Sequence, residues 1–436
     1  MSACSPEYWI WLQKALGAGA RTDELLSYFG NPEQLYNAGS REWRLSGIVS
    51  QKRIAALLKS SPSETYSVFS ECRKKGYIII TPDSPEYPDR FRTLKDMPLV
   101  LYAAGDVSVL KNELSIGMVG TRNASTYGIE TAQKLSYVLA LSGVTIVSGG
   151  ALGIDSEAHA GAMLANGKTV AFLGCGLSCN YLSENAPLRR AIARHGAVVS
   201  EYLPEQAASK TTFPIRNRLI SGLTLGTVVV EAGKKSGSLI TASLALEQGR
   251  DVFAVPGDII RSSFDGTNHL IKNGAKPVFG AEDILSEYEY RYGNLIDREK
   301  SKTPVSSVRY VDYRNYKKSK TKPQSAGTEP SGSAAPAAAA PGKKQASAVK
   351  TEPKVKEKQR ADTDSAAPGR AVRKELPADI SADARIIYAA LGENEIQIDD
   401  IVRQTGIKMK DVLSALTELE LDGAVEQLNG KKYKII

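Results

Sequence analysis

Cysteine, histidine and long apolar runs are all scarce in this chain of 436 residues. Its four cysteines are Cys4, Cys72, Cys175 and Cys179, and it has three histidines. So few thiols, behind a Met1-Ser2-Ala3-Cys4 start without a basic-then-apolar leader, argue against a disulfide framework and predict a reducing, cytoplasmic setting. Cys175 and Cys179 are spaced C-x₃-C, but no second Cys or His pair lies near to complete the four ligands that zinc prefers, so no metal is expected. No apolar run reaches the ~18 residues of a membrane span, so no membrane partner is expected. The first strand-like run is not followed by G-x-G-x-x-G, which argues against a dinucleotide site, and no cofactor is expected.

Charge is present but unevenly placed. The chain carries a formal net charge of +8. Residues 301–378 hold 17 Lys or Arg against 7 Asp or Glu, so the remainder is slightly acidic. Any nucleic-acid site on the folded part must therefore come from local placement of basic residues rather than from bulk charge.

The length predicts more than one folded unit. Residues 1–65 read as short helices, a SAM-like or helix-hairpin-helix-like module. Tyr8, Trp9, Trp11, Leu12, Ala15 and Leu16 share one face, and Leu45-Ser46-Gly47-Ile48 turns between two helices. Residues 66–290 alternate strand-like runs with helical patterns: Tyr77–Ile80, Leu99–Tyr102, Ile116–Val119, Val144–Val147, Thr169–Leu173, Ala197–Val199, Thr227–Val230 and Asp251–Val255. That alternation predicts an α/β fold with a mostly parallel sheet covered on both faces. Residues 291–378 read as a basic Ala/Pro/Lys linker that cannot bury enough apolar surface to fold. Residues 379–436 have the plan of a winged helix: helices at 384–391, 398–404 and 409–421, then a hairpin around Asn429-Gly430. The third helix begins with Lys408 and Lys410 but continues with Asp411, Glu418, Glu420 and Asp422, which argues against reading duplex DNA.

The chemistry gathers in four places. Gly120-Thr121-Arg122 follows one strand-like run, and Ser148-Gly149-Gly150 with Gly153 follows the next. Glycine loops at strand ends offer backbone N–H groups to anions. Phe213-Pro214-Ile215-Arg216-Asn217-Arg218 adds guanidinium groups suited to phosphate, and Lys234, Lys235, Ser236, Gly237 and Ser238 add a further basic and small-residue loop. Phe213 and Tyr127 are candidates for stacking bases; Phe213 reads equally as a core side chain. Arg216 and Arg218 either bind phosphate or pair internally with Glu201, Glu231 or Asp155, and the two need not act alike. Asp155 and His159 share a helical face at i, i+4, yet no nucleophile stands with them, and Asp155 reads better as the cap of a helix starting at Ser156.

Those words, in this order, resemble the DprA/Smf family. The likeness continues through Tyr127-Gly128, Ala158-His159, Ser200-Glu201-Tyr202, Thr241-Ala242, Val255-Pro256-Gly257 and Gly266-Thr267-Asn268, and it covers nearly the whole chain outside the linker. The resemblance implies a Rossmann-like core that is not an enzyme, binds single-stranded DNA, forms a homodimer and helps load RecA during recombination of DNA taken up in natural transformation. It also implies that Arg122 holds the DNA backbone. Leu152, Leu182, Ser183 and Glu184 depart from the family pattern and thin the positive rim. The alternative reading is a protein that binds or processes a nucleotide or nucleoside phosphate. A Pro-Gly-Gly-x-Gly-Thr-x-x-Glu run would favour it, and Val229-Val230-Glu231-Ala232-Gly233 lacks that run.

Overall fold

The computed structural model describes residues 4–312, 380–391, 396–407, 409–421, 424–428 and 432–435. The chain divides into two compact units, Met1–Thr328 and Glu329–Ile436.

The first unit opens with five helices: α1 (Pro6–Leu16), α2 (Asp23–Phe29), α3 (Pro32–Leu45), α4 (Gln51–Leu57) and α5 (Tyr66–Lys75). Proline at the first turn of α1 and α3, and the Asn31 and Ser50 side chains accepting N–H groups at α3 and α4, fix where helices begin. Trp9, Trp11, Leu12, Leu35 and Trp43 form one apolar cluster that also takes in Leu99, Val100 and Tyr102. Gln13 strengthens the junction: its Nε2 donates to the Val100 carbonyl at 2.9 Å and the Glu201 carbonyl at 2.7 Å.

Nine strands follow: β1 (Ile78–Ile80), β2 (Leu101–Gly105), β3 (Ser115–Val119), β4 (Thr145–Ser148), β5 (Thr169–Leu173), β6 (Gly196–Ser200), β7 (Gly226–Val229), β8 (Asp251–Ala254) and β9 (Lys276–Pro277). They make one sheet in the order β1-β2-β6-β5-β4-β3-β7-β8-β9. β1–β2 and β2–β6 are antiparallel and every other pair is parallel. Between and beyond the strands lie α6 (Thr126–Leu141), α7 (Ile154–Leu164), α8 (Ala186–His195), α9 (Thr212–Leu223), α10 (Gly237–Glu247), α11 (Asp265–Lys272), α12 (Ala281–Leu285), α13 (Glu289–Tyr292) and α14 (Arg298–Ser301).

Side chains alternate across the sheet as strand geometry demands. Ile116, Met118, Ile146, Val228 and Val230 pack under α6, α7 and α12. Val119, Val147, Val170, Phe172 and Val229 pack with residues of α9 and α10. Both faces are covered, which explains the near-continuous apolar runs of the central strands.

Packing on the first unit continues past residue 291, where the linker was expected to begin. Tyr292 and Ile296 join the cluster around α6, and Val305 and Val308 pack against it. Gln133 clasps Val311, donating to its carbonyl and accepting its N–H, each at 2.8 Å. These apolar anchors are few and irregularly spaced, so no periodicity marks them in the sequence. The core of the Ala/Pro-rich stretch lies outside the described residues.

The second unit has α15 (Ala382–Ala390), α16 (Ile398–Thr405) and α17 (Met409–Leu421), with β10 (Ile396–Gln397), β11 (Val425–Leu428) and β12 (Lys432–Ile435) in the antiparallel order β10-β12-β11. Three helices and the β11–β12 pair match the winged-helix plan expected from the sequence, and β10 adds a third strand. Asn429-Gly430, Lys408 and Asp422 lie outside the described residues. Glu418 on α17 accepts the Ser381 N–H at 2.8 Å and its hydroxyl, so this carboxylate serves the start of α15.

Candidate nucleic-acid interface

The chain steps from β3 outward through β4, β5 and β6, then returns to place β7 on the other side of β3. Connections leave β3 and β7 in opposite directions, and a crevice opens beyond their carboxyl ends. A cleft of about 380 Å³ occupies this position. Gly120–Asn123 come from the loop after β3, Ala151 and Asp155 from the turn into α7, and Arg216, Asn217 and Ile220 from α9. Ser236–Ser238 and Thr241 come from the start of α10. Ser236 caps α10 through its hydroxyl, which accepts the Ser238 N–H. The positive end of α10 therefore faces the cleft.

The two arginines of the Phe213–Arg218 stretch part company because the stretch is helical. Positions two apart on a helix point about 200° from each other. Arg216 turns to the cleft. It is 5% exposed, donates from Nη1 to the Gly149 carbonyl at 2.7 Å and to the Phe172 carbonyl, and from Nε to Asn217 Oδ1 at 3.1 Å. Arg218 turns inward. Its Nη2 donates to both Glu201 oxygens at 2.6 and 2.7 Å, and its Nε lies 3.2 Å from Asp96. The expectation that Arg218 binds DNA is corrected: the carboxylates neutralise it, and it does not line the cleft. Glu201 also accepts the Gly19 N–H at 3.3 Å, so this pair joins α9 to the N-terminal helices.

Arg122 is exposed at the cleft mouth. Its guanidinium carbon lies 5.1 Å from the centre of the half-buried Phe213 ring, and its Nη1 donates to the Tyr181 hydroxyl at 3.2 Å. The Tyr181 and Phe213 rings are 5.2 Å apart and tilted by 48°. Sequence reasoning had not assigned Tyr181 a role; a lone aromatic in a loop has no periodicity to betray it, and only folding brings it to Arg122. The next residue, Leu182, has φ +50°, a conformation closed to proline, whose ring holds φ near about −65°.

The glycines build the loops more than they face a ligand. A Cβ on Gly120 would lie 2.5 Å from Ile154, and one on Gly149 2.5 Å from Arg216. Gly153, at φ +73°, would bring a Cβ to 2.4 Å from the Arg122 carbonyl. Gly150, at φ +64°, packs towards Leu173, and the Ser148 hydroxyl donates to the Met118 carbonyl at 2.6 Å. Thus Ser148, Gly149, Gly150 and Gly153 support the site from behind and do not line it, contrary to expectation. Thr121 lines the cleft, but its N–H is taken by the Glu231 carbonyl at 2.8 Å. Lys234 and Lys235 are exposed on the β7–α10 loop outside the cleft lining, and Lys234 lies 3.7 Å from Asp265.

Asp155 sits inside the first turn of α7 and accepts the Ala151 N–H at 3.3 Å, so it braces the preceding turn instead of capping a helix at Ser156. Burial raises its pKa, and Arg216 opposes that shift. His159 is fully buried 2.7 Å from the Thr169 hydroxyl. Burial, then the Arg216 charge, lowers its pKa to about 3, so it is neutral and positioned by packing. Burial, with Cys179 beside it, pushes the Cys175 thiol up to about 12. Among the described residues no group of His, Cys, Asp and Glu could hold a metal ion, and no helix is long and apolar enough to cross a membrane.

A family described as DNA recombination-mediator protein A matches residues 78–289, and the DprA winged helix domain matches residues 371–431. The DNA processing protein DprA of Bacillus subtilis is 42% identical over 241 residues, covering 54% of this chain and 81% of that protein. The chain belongs to the DprA/Smf family of DNA-processing proteins. Protein Smf of Synechocystis is 30% identical over 372 residues, covering 85% of this chain and 83% of its own. The X-ray structure of DNA processing protein A from Streptococcus pneumoniae superposes with a TM-score of 0.57 at 33% identity, over 66% of this chain and 99% of that one. The mostly parallel core and the winged helix are thus the family's architecture.

Proposed function

We propose that this protein binds single-stranded DNA without catalysis, with the strand entering the cleft beside Arg122 and Phe213. The observation that carries the reading is the Arg122–Phe213–Tyr181 cluster at the mouth of a cleft faced by the α10 N-terminus. An exposed cation on aromatic rings, next to backbone N–H groups, offers a phosphate contact and stacking surfaces without reading sequence. Arg216 lends positive charge from the cleft floor, and Ser236, Gly237 and Ser238 supply the helix end. Lys234 and Lys235 add to the rim. The resemblance to the family supports the further steps: protection of the strand, a homodimer, and transfer to RecA in recombination of DNA taken up in transformation.

A second reading, a nucleoside phosphate held whole, draws on the cleft volume of about 380 Å³, which falls among small-molecule sites of roughly 300–1,000 Å³. Fluorescence anisotropy with labelled oligo-dT, challenged by unlabelled single strand, duplex and mononucleotide, separates the two. The single-strand reading expects competition by single strand far ahead of duplex or mononucleotide. Equal displacement by the mononucleotide would overturn it. Mixing with RecA on the same oligonucleotide, with and without the protein, tests the transfer step by the rate of filament formation.

A further inference from the structure

Features that suit a strand continue past the cleft. The β7–α10 loop leads away from Ser236 with Lys234 and Lys235 exposed. Its Gly233 lies against the segment after β8: a Cβ there would stand 3.2 Å from the Ser262 carbonyl. On that side Tyr127, Pro256, Arg261 and Phe264 border a second hollow of about 410 Å³.

Tyr127 is held as a platform. Its hydroxyl donates to the Pro256 carbonyl at 3.1 Å, and its ring meets Phe264 edge-on, with centroids 5.7 Å apart and planes at 68°. The side chain is nevertheless 49% exposed. A ring fixed at its tip and along one edge has little rotational freedom left to lose when a flat partner covers its open surface. Arg261 stands beside it, 63% exposed, and its contact with Asp258 at 3.7 Å is long and solvated. An aromatic surface with an available guanidinium is the pairing that holds a base and its phosphate. The exposed lysines lie on the loop between Ser236, which lines the cleft, and Gly233, which faces the segment that carries Arg261 and Phe264. Arg122 lies in the connection from β3 to α6 and Tyr127 in the first turn of α6, so one stretch of chain supports both ends of the path.

We propose that Tyr127, Phe264 and Arg261 form a second nucleobase subsite, reached by a single strand that leaves the cleft over Lys234 and Lys235. The proposal rests on the reading of the cleft as a single-strand site and extends the path beyond it.

The test uses the full chain with oligo-dT of about 4 and about 16 nucleotides, the span of typical single-strand site sizes. The quantity read is the gain in affinity from short to long. In Tyr127→Ala this gain should fall about fivefold or more, the loss of one stacked base. In Tyr127→Trp it should be kept. In Arg261→Ala it should fall and become less salt-dependent. Oligo-dT bearing 5-iodouracil should photo-crosslink to Tyr127 when long. An unchanged gain in Tyr127→Ala, with crosslinks confined to Phe213 and Tyr181, overturns the subsite and leaves the cleft reading intact. Failure of the wild-type protein to bind either length overturns both.

Discussion

Single side chains divide the work at the cleft. Arg122 is exposed and free to exchange its contacts with Phe213 and Tyr181 for a phosphate, so Arg122→Ala should weaken oligo-dT binding by ~1–3 kcal/mol and lower the salt slope. Anisotropy titrations across ionic strength check both. Arg218 answers differently. Arg218→Ala leaves the Glu201 carboxylate buried without its partner, and stability should drop by ~3–5 kcal/mol in a denaturant melt. Replacing Glu201 and Arg218 together by apolar residues should recover much of that loss. His159 sets a pH dependence. Its folded-state pKa of about 3 lies below the ordinary 6.5, so the unfolded chain binds more protons between those values. The stability it contributes is present above 6.5 and lost as pH falls towards 3. Melting temperature measured down that window should fall less steeply in His159→Asn.

Elements decide which of these side chains meet. Because α9 is a helix, Phe213-Pro214-Ile215-Arg216-Asn217-Arg218 splits between cleft and interior. Its guanidinium groups were legible in the sequence, but which arginine faces the cleft was not, since that depends on helical phase against the sheet. The strand runs and most helix positions were legible, because a sheet buried on both faces leaves long apolar runs separated by helical periods. The short β9 and β10 were not; two-residue strands carry no period of their own. The turn into α7 gives a sharp test. Gly153→Ala forces a positive φ on a residue with a Cβ and drives that Cβ into the Arg122 carbonyl. A loss of at least ~1–3 kcal/mol in stability is expected from the backbone conformation alone. Oligo-dT affinity should fall with it, because the same contact positions Arg122.

Across the molecule, the first unit extends to residue 312 among the described residues, and its last apolar anchors cover α6. A chain ending at 312 should keep one cooperative thermal transition. A chain ending at 290 removes Tyr292, Ile296, Val305 and Val308, and should melt at lower temperature with a loss of several kcal/mol, by analogy with the ~3–5 kcal/mol of a deleted core aromatic. Differential scanning calorimetry distinguishes them. The second unit has its own core of Ile387, Leu391, Ile401, Leu416, Leu419 and Tyr433, so residues 379–436 should fold when expressed alone.

Composition and periodicity by themselves determined the α/β alternation and the winged-helix plan, while the ordered motif words carried the resemblance to the family and marked the stretches that carry glycine, arginine and aromatic residues. These are properties of local order, and local order survives in a list of residues. Only the tertiary structure decided that Arg216 faces the cleft while Arg218 is neutralised by Glu201. It alone set the glycines behind the site and brought Tyr181 to Arg122. Each of those outcomes depends on distances between residues far apart along the chain, which the packing of helices against the sheet sets.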